Sequence, residues 1–258
     1  MLTVSAMQPY FFPYLGYFQL LEASASILLH DQLKYIKRGF MHRNAYLQPG
    51  VGAKSFGPEL QAKTTSGNIQ DVCLSVDTRW RGQILSRLEF AYGRTRSFND
   101  VMPLVESVVN EPFDRLSELN IASIRMVRDY LEIDCDIIVV SQSLPHLEPQ
   151  VLAESAPSVG SQSAPVQTPS PDMKHRRIIE ICKLMASNHF VNPIGGKELY
   201  DRDLLDAHGV KIEFIQSELP AYAQLHSQQF VPRLSILDAL FNCSRDDVKA
   251  QLLAYSLV

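Results

Sequence analysis

The first thirty residues place two short apolar runs on either side of one amphipathic helical pattern. Leu2 to Met7 and Ser26 to His30 are each short enough for a buried strand. Between them, apolar residues from Tyr14 to Leu21 recur at i, i+3, i+4 and i+7, which gives a helix one apolar face. This is the order and length of a parallel βαβ unit, whose strands end at the same edge of the sheet. Gln8 and Asp31, which follow the two strands, are therefore predicted to lie near each other on the rim where open α/β sheets bind ligands.

The remainder of the chain continues this alternation of helical periods and short β-branched runs. Further strands are predicted at 69–76, 136–140, 189–191 and 210–215, with helices between most of them. The run DIIVV at 136–140 is typical of a buried parallel strand. The sequence therefore predicts an α/β fold: a mostly parallel, Rossmann-like sheet flanked by helices, with helical additions.

One segment differs in composition from the rest. Residues 148–172 contain five prolines and five serines but no lysine, arginine or aromatic residue, so they cannot bury a core. We predict that residues 146–173 form a mobile surface insertion. Residues 1–145, an α/β part with a basic rim loop, and residues 174–258 would then complete one unit. A linker between two domains is the alternative.

A basic loop follows the second predicted strand. Its basic residues are Lys34, Lys37, Arg38, Arg43 and Lys54, and no Asp or Glu occurs between positions 32 and 58. The whole chain has a net charge of −4 and a pI near 6.0, so this excess is local and argues against a general nucleic-acid binder. A basic loop at the carboxyl edge of a sheet suits a small anion, since arginine binds phosphate or carboxylate through two donors. The alternative is a solvated basic surface loop.

Two features of the second half bear on a site. The stretch NPIGG at 192–196 predicts a sharp turn whose glycines, Gly195 and Gly196, allow close approach of a phosphate or a sugar hydroxyl, although an ordinary turn has the same sequence. Asp238 lies in a predicted helix at 235–241. Its carboxylate is a site acid, a partner of Arg233 or a buried hydrogen-bond acceptor.

Several classes of site are disfavoured by missing motifs. The seven histidines show no zinc spacing, and there is no G-x-G-x-x-G and no P-loop, so we expect no protein-bound metal and no cofactor. The four cysteines are scattered without a C-x-x-C pair, which is typical of reduced thiols. No apolar run reaches eighteen residues and no basic leader precedes a hydrophobic stretch, so we expect a cytoplasmic protein without a membrane span.

Longer motifs resemble those of a known family. MQPYFFPYLGYFQL at 7–20 and HDQLKYIKRGFMHRN at 30–44 look like the signature of the WbqC-like family, and so do NPIGGKELYD at 192–201, GVKIEF at 209–214 and YAQLHSQQFVPRLSILDALF at 222–241. The resemblance spans nearly the whole chain. Phe40 stands where the family usually has Trp, and His42 where it usually has Asn. The family resembles proteins encoded among bacterial surface-polysaccharide genes, which implies chemistry on an activated sugar.

These residues define a candidate rim site. The catalytic candidates are Asp31, His42 and Gln8, and the candidate substrate-binding residues are Tyr10, Tyr35, Lys37, Arg38, Arg43, Asn44, Asn192, Gly195, Gly196 and Tyr200. The first hypothesis is acyl or aminoacyl transfer, from a thioester or acyl carrier, to the amino group of a nucleotide-linked sugar, with His42 or Asp31 as base. The alternatives are a nucleotidyltransferase-like enzyme and a non-catalytic nucleotide-sugar-binding protein. No nucleic-acid partner is expected.

Overall fold

The computed structural model describes residues 2–155 and 172–258. In chain order, their strands are β1 (Thr3–Met7), β2 (Ser26–Leu29), β3 (Asn44–Gln48), β4 (Gly52–Phe56), β5 (Asp136–Val139), β6 (His189–Pro193), β7 (Lys211–Ser217) and β8 (Tyr255–Leu257). Six of them form one sheet in the order β5-β2-β1-β6-β7-β8, and β3 pairs with β4 in a separate hairpin. Only β8 runs antiparallel to its neighbour in the six-stranded sheet, so the predicted mixed α/β fold with a mostly parallel sheet is confirmed.

Helices cover both faces of this sheet. They are α1 (Leu15–Glu22), α2 (Arg79–Tyr92), α3 (Phe98–Asn110), α4 (Leu116–Tyr130), α5 (Val140–Ser143), α6 (Leu147–Ser155), α7 (Met173–Leu184), α8 (Arg202–Ala207), α9 (Ile236–Asn242) and α10 (Arg245–Leu252). In the described part of the chain, no helix is both long enough and apolar enough to cross a membrane.

Alternate residues of the strands point into two separate cores, because side chains of a strand alternate between the faces of the sheet. Ile27 and Leu29 of β2 join a large core with α1 to α4, α9 and α10. Leu28 of β2 and Val4 of β1 join a small core with α6, α7 and α8. We call these two sides the large-core face and the small-core face.

The order of the strands locates the point where ligands bind in folds of this kind. From β1 the chain moves to β2 on one side, and from β6 it moves to β7 on the other. The connections therefore diverge between β1 and β6, and in open α/β sheets the crevice at such a point, outside the carboxyl ends of the strands, is the usual ligand site. Gln8 follows β1 there, and Ile194 follows β6.

Two expectations from the sequence need correction. The predicted strand at 69–76 is wrong: Ile69–Asp71 is a 3₁₀ turn, and the residues after it form isolated bridges, such as Leu74 with Leu60 and Cys73 with Arg115. The alternating apolar residues there belong to a loop that packs on the large core. The carbonyl of Val72 in this loop accepts a hydrogen bond from the N–H of Leu116 at the start of α4.

The predicted insertion at 146–173 is also too wide. Leu147 and Val151 of α6 are buried in the small core, and Met173 already lies in α7. The composition of this segment did not indicate the short helix α6, because its polar residues outnumber the two residues that it buries in the core. The remainder of the predicted insertion, 156–171, lies outside the described residues. Strands from both sides of this segment join in the same sheet.

Candidate functional site at the carboxyl edge of the sheet

Gln8 lies half-buried at the end of β1, where the chain connections diverge. Its side-chain oxygen accepts a hydrogen bond of 3.0 Å from the hydroxyl of Tyr10. Its backbone carbonyl accepts one of 3.0 Å from the hydroxyl of Tyr17, whose ring lies 5.9 Å from that of Tyr10. The first strand thus delivers a glutamine and a tyrosine, already bonded to each other, to the carboxyl edge.

The turn Pro9–Pro13 that follows is buried and is bound on several sides. Phe12 adopts a left-handed backbone conformation, with φ of 39°. Its carbonyl accepts hydrogen bonds from the side chains of Asn44 (2.5 Å) and Ser235 (2.8 Å). Asn120, fully buried, donates both to the carbonyl of Pro9 (2.8 Å) and to that of Met41 (2.7 Å). Asn44, predicted to bind substrate, is therefore placed as a support for this turn.

Asp31 lies at the carboxyl end of β2, next to the start of α5. It is only 2% exposed. One carboxylate oxygen accepts the backbone N–H of Ser141 (3.0 Å), and the other accepts its hydroxyl (2.5 Å). Both oxygens thus accept hydrogen bonds from Ser141 of α5, the helix that follows the neighbouring strand β5, so this carboxylate links the ends of β2 and β5.

The basic loop, which we define as residues 32–43, has a buried anchor and an exposed basic part. Tyr35 is buried, and its backbone N–H donates to the carbonyl of Gly67. Lys37 and Arg38 are exposed, and their side chains make no hydrogen bond or ion pair within residues 2–155 and 172–258. Arg43 is also exposed and donates to the carbonyl of Arg38 at 3.1 Å. With the exposed Lys34, the loop therefore presents four cations to solvent, none of them in an ion pair with an acidic residue of the described chain.

Within this loop, His42 and Tyr35 form a close pair. The tyrosine hydroxyl lies 2.6 Å from Nδ1 of the half-buried imidazole. Burial lowers the pKa of His42, and the positive charge of Arg43 lowers it further. Burial raises the pKa of the Tyr35 hydroxyl, and Arg43 opposes this effect. At neutral pH the pair is therefore a neutral imidazole beside a protonated phenol.

Gly57 sets the position of the same two residues. A side-chain carbon at this position would lie 2.0 Å from the carbonyl oxygen of His42 and 2.9 Å from the Cα atom of Arg43. The backbone of residue 57 therefore passes so closely that only glycine fits without displacing the loop.

The second group of candidates follows β6. Asn192 is half-buried, and a side-chain carbon at Gly196 would lie 2.1 Å from its amide nitrogen. Gly195, by contrast, faces open space. Tyr200 packs edge-to-face against His175, with ring centroids 5.8 Å apart. The turn thus brings Asn192, Gly196 and Tyr200 together, while Gly195 contributes an open surface.

The two groups occupy the same edge of the sheet but lean towards different faces. Tyr35 and Met41 belong to the large core, whereas Tyr200 packs against the small core. No hydrogen bond or ion pair recorded for the described residues joins the basic loop to residues 192–201. The single cleft formed by both groups stays a prediction.

An ion-pair cluster that the sequence did not reveal lies near this edge on the small-core face. Glu148 of α6 receives two hydrogen bonds from Arg177 of α7, at 2.5 and 2.9 Å. Its carboxylate also lies 2.8 Å from Nε2 of the buried His30, which follows β2. Burial opposes ionisation of Glu148, but the bonds and charges of Arg177 and His30 outweigh burial and lower its pKa to about 2. Glu148 lies in the segment that the sequence predicts to be an insertion, so no sequence pattern indicated this cluster.

Asp238 is a buried acceptor, one of the three roles that the sequence left open. It is fully buried and accepts hydrogen bonds from the hydroxyls of Tyr92 (2.8 Å) and Tyr222 (2.6 Å) and from the amide of Gln224 (2.7 Å). Burial raises its pKa, and these three donors oppose that effect.

Within the described residues, no group of three or more His, Cys, Asp or Glu side chains is arranged to hold a metal ion.

The strand order and directions define the class: an α/β protein with an open, mostly parallel sheet. The chain belongs to the WbqC-like protein family, whose model matches residues 8–250, so the resemblance seen in its motifs is confirmed. It is also similar to the uncharacterized protein Rv1507c of Mycobacterium tuberculosis, with 23% identity over 244 residues, or 94% of each chain. No solved structure matches it.

Proposed function

We propose that this chain is a transferase of bacterial surface-polysaccharide (O-antigen) biosynthesis that moves an acyl or aminoacyl group to the amino group of a nucleotide-linked sugar. The observation that carries the proposal is the Tyr35–His42 pair at the carboxyl edge of the sheet: a neutral imidazole in an exposed loop whose cations make no ion pair with the described residues. Acyl transfer to an amine needs such a base next to a site for an anionic substrate.

The proposed roles follow from the chemistry of the loop. With its proton on Nδ1, directed at the oxygen of Tyr35, His42 keeps a lone pair on Nε2 that accepts the proton lost by the attacking amine. The C–N bond forms as the C–S bond of the thioester breaks, and the departing thiolate takes up that proton as a free thiol. Lys37, Arg38 and Arg43 bind the diphosphate, for which arginine supplies paired donors. Gln8 and Tyr10 orient the sugar where the connections diverge.

His42 suits the role of base better than Asp31. Both carboxylate oxygens of Asp31 already accept hydrogen bonds from Ser141, and its side chain is 2% exposed. His42 is half-buried, and only its Nδ1 is in a recorded hydrogen bond within the described residues. A substrate amine can therefore reach Nε2 without breaking an internal bond.

The donor of the acyl group in this proposal is a thioester, either small or attached to an acyl carrier protein. Four free cysteines favour a cytoplasmic location, where thiols stay reduced.

The part of the substrate that reaches the end of β6 is bound, in this proposal, by Asn192, Gly195, Gly196 and Tyr200.

The test is direct product formation. Purified protein is incubated with uridine- and deoxythymidine-diphosphate amino sugars and with acyl and aminoacyl thioesters, and the acylated sugar is sought by mass. We expect product with wild type, loss of about two to four orders of magnitude in rate for His42→Gln, and full activity for His208→Gln, which replaces an exposed histidine elsewhere.

Other outcomes would select the other functions. Binding of a nucleotide sugar without product from any donor would favour a non-catalytic binding protein. Release of pyrophosphate from a nucleoside triphosphate and a sugar phosphate would favour a nucleotidyltransferase. Absence of any binding, with Arg43→Ala indistinguishable from wild type, would contradict the nucleotide-sugar proposal altogether.

A further inference from the structure

A small cavity lies beyond the carboxyl ends of β1 and β7, on the large-core face. On one side it is lined by Tyr14 and Leu15 at the start of α1, and on the other by Leu219, Tyr222 and Phe230 from the segment after β7. It measures about 20 Å³. A cavity of this size holds about one or two groups the size of a water molecule. None of the residues predicted from the sequence to form the site lines it.

Arg233 lines the cavity in an unusual backbone conformation. Its φ is 60°, in the left-handed region that residues other than glycine seldom adopt. Its side chain is exposed and makes no hydrogen bond or ion pair with the residues that the structure describes. A strained residue whose charged group has no partner among the described residues is a candidate for contact with a ligand.

The surrounding chain holds Arg233 in place. The backbone N–H of Ser235 donates to the carbonyl of Ala45 at 2.9 Å. Gln224 accepts from the N–H of Val231 at 2.8 Å and donates to its carbonyl at 3.1 Å. Bonds on both sides of Arg233 therefore fix the backbone of this lining residue at the cavity.

Charge and shape together define the ligand. Tyr14 and Arg233 both line the cavity, so the phenol hydroxyl and the guanidinium are the two donors that these residues offer. Burial raises the pKa of the Tyr14 hydroxyl, although Arg233 opposes this effect, so the phenol is protonated. The walls formed by Leu15, Leu219 and Phe230 are apolar. Two donors at an apolar cavity with room for little more than a methyl group suit an anion that carries a short hydrocarbon tail.

We propose that this cavity binds a short-chain carboxylate of about two or three carbons, with the carboxylate paired to Arg233 and the tail between Tyr14, Tyr222 and Phe230. The binding itself is independent of the proposed transfer. Only the assignment of this carboxylate as the acyl side of the transfer rests on the proposed function.

The experiment uses ligand-observed NMR on the full chain with acetate, propionate, the bulky pivalate and sulfate. We expect acetate and propionate to bind, pivalate to be excluded by the size of the cavity, and sulfate to bind at least tenfold more weakly, because it has no tail. Equal binding of sulfate, or binding of pivalate as tight as that of acetate, would overturn the proposal.

The variant Arg233→Gly separates the proposed role from folding. Glycine accepts the left-handed conformation without strain, so this variant should unfold at a higher temperature than wild type while losing acetate binding at least tenfold. Arg94→Ala, which removes an exposed arginine elsewhere, should bind acetate as wild type does. Acetate binding retained by Arg233→Gly would refute the assignment.

A further pair of variants keeps this proposal apart from the nucleotide-sugar proposal. Arg43→Ala should lose the nucleotide sugar and keep acetate, and Arg233→Gly should do the reverse. Loss of both ligands in each variant would show a single anion site and overturn the separate carboxylate site.

Discussion

The buried turn Pro9–Pro13 and the basic loop belong to the same stretch of family-like sequence, yet the structure treats them differently. Carbonyls of the turn accept hydrogen bonds from Asn44, Asn120 and Ser235, and Phe12 is completely buried. The basic loop leaves Lys37 and Arg38 exposed and without internal partners in the described part of the chain.

This difference separates residues that support the buried turn from residues that are free to recognise a ligand. A polar side chain whose hydrogen-bonding groups are used by buried backbone has little left for a ligand, and its loss leaves those backbone groups unpaired. An exposed cation without an acidic partner costs little to remove but can bind phosphate strongly. Similar motif residues should therefore give opposite results in stability and binding measurements.

The largest effect should come from Asn120, which links the turn to the end of the basic loop. Asn120→Ala would leave the buried carbonyl of Pro9 without its donor and would remove one of the two donors to the carbonyl of Met41, which also accepts the N–H of Phe11. We therefore expect a loss of about 3 kcal/mol in the free energy of unfolding. Denaturant titration measures it. Lys37→Ala is the matched control from the exposed loop and should change stability by less than about 0.5 kcal/mol. Equal losses in both variants would remove the distinction.

The opposite result is expected for Arg43. Arg43→Ala should reduce the affinity for a nucleotide-linked amino sugar by about 2 kcal/mol, since a charged hydrogen bond to phosphate is lost. Its unfolding should stay within about 0.5 kcal/mol of wild type, because the side chain is exposed. Calorimetric titration and denaturant unfolding check both halves. A stability loss that accounts for the weaker binding would contradict a role in recognition.

The glycines test whether the position of the loop matters. Gly57→Ala forces a side-chain carbon against the backbone of His42 and Arg43, so we expect a loss of about 1 to 2 kcal/mol in stability, together with weaker substrate binding. Gly195→Ala, at a position with open space, should be nearly neutral in stability. If Gly57→Ala binds and turns over as wild type does, the placement of His42 is not critical.

The sequence predicted the strands better than the loops between them. Runs such as 26–29 and 136–139 have a polar first residue followed by three apolar ones, and such short apolar runs are typical of strands in a parallel sheet. At 69–76 the alternation of apolar and polar residues belongs to a loop packed on the large core, and hydrophobic period alone cannot distinguish such a loop from a strand. The family motifs, by contrast, mark where the chain differs from an ordinary α/β sequence without saying why.

The sequence indicated only local features of the candidate site. The absence of acids between positions 32 and 58 predicted a basic loop, and Lys37, Arg38 and Arg43 are exposed there. The pairing of Asp31 with Ser141 joins residues 110 positions apart, and Arg233 is distinguished by its left-handed backbone conformation and by its place in the lining of a cavity. Neither feature has a local signal, since both depend on how distant segments pack.

The smallest effect concerns a third region, the cluster of Glu148, Arg177 and His30 on the small-core face. The pKa of Glu148 is lowered to about 2 in the folded chain, against 4.5 ordinarily, so its carboxylate stabilises the fold fully above pH 4.5. That contribution is lost as the pH falls from 4.5 towards 2, because the folded state must then take up a proton that breaks the pair. We expect Glu148→Gln to lose on the order of 1 kcal/mol at pH 6, a figure that allows for solvent screening of a partly exposed pair. The difference from wild type should shrink towards zero near pH 2. Chemical unfolding of both proteins from pH 6 to pH 2 isolates this carboxylate from the other acids, which titrate equally in each. A difference that stays constant with pH would mean that Glu148 stabilises the fold through packing in α6 and not through its charge. The cluster would then act as a structural support, as the buried turn does.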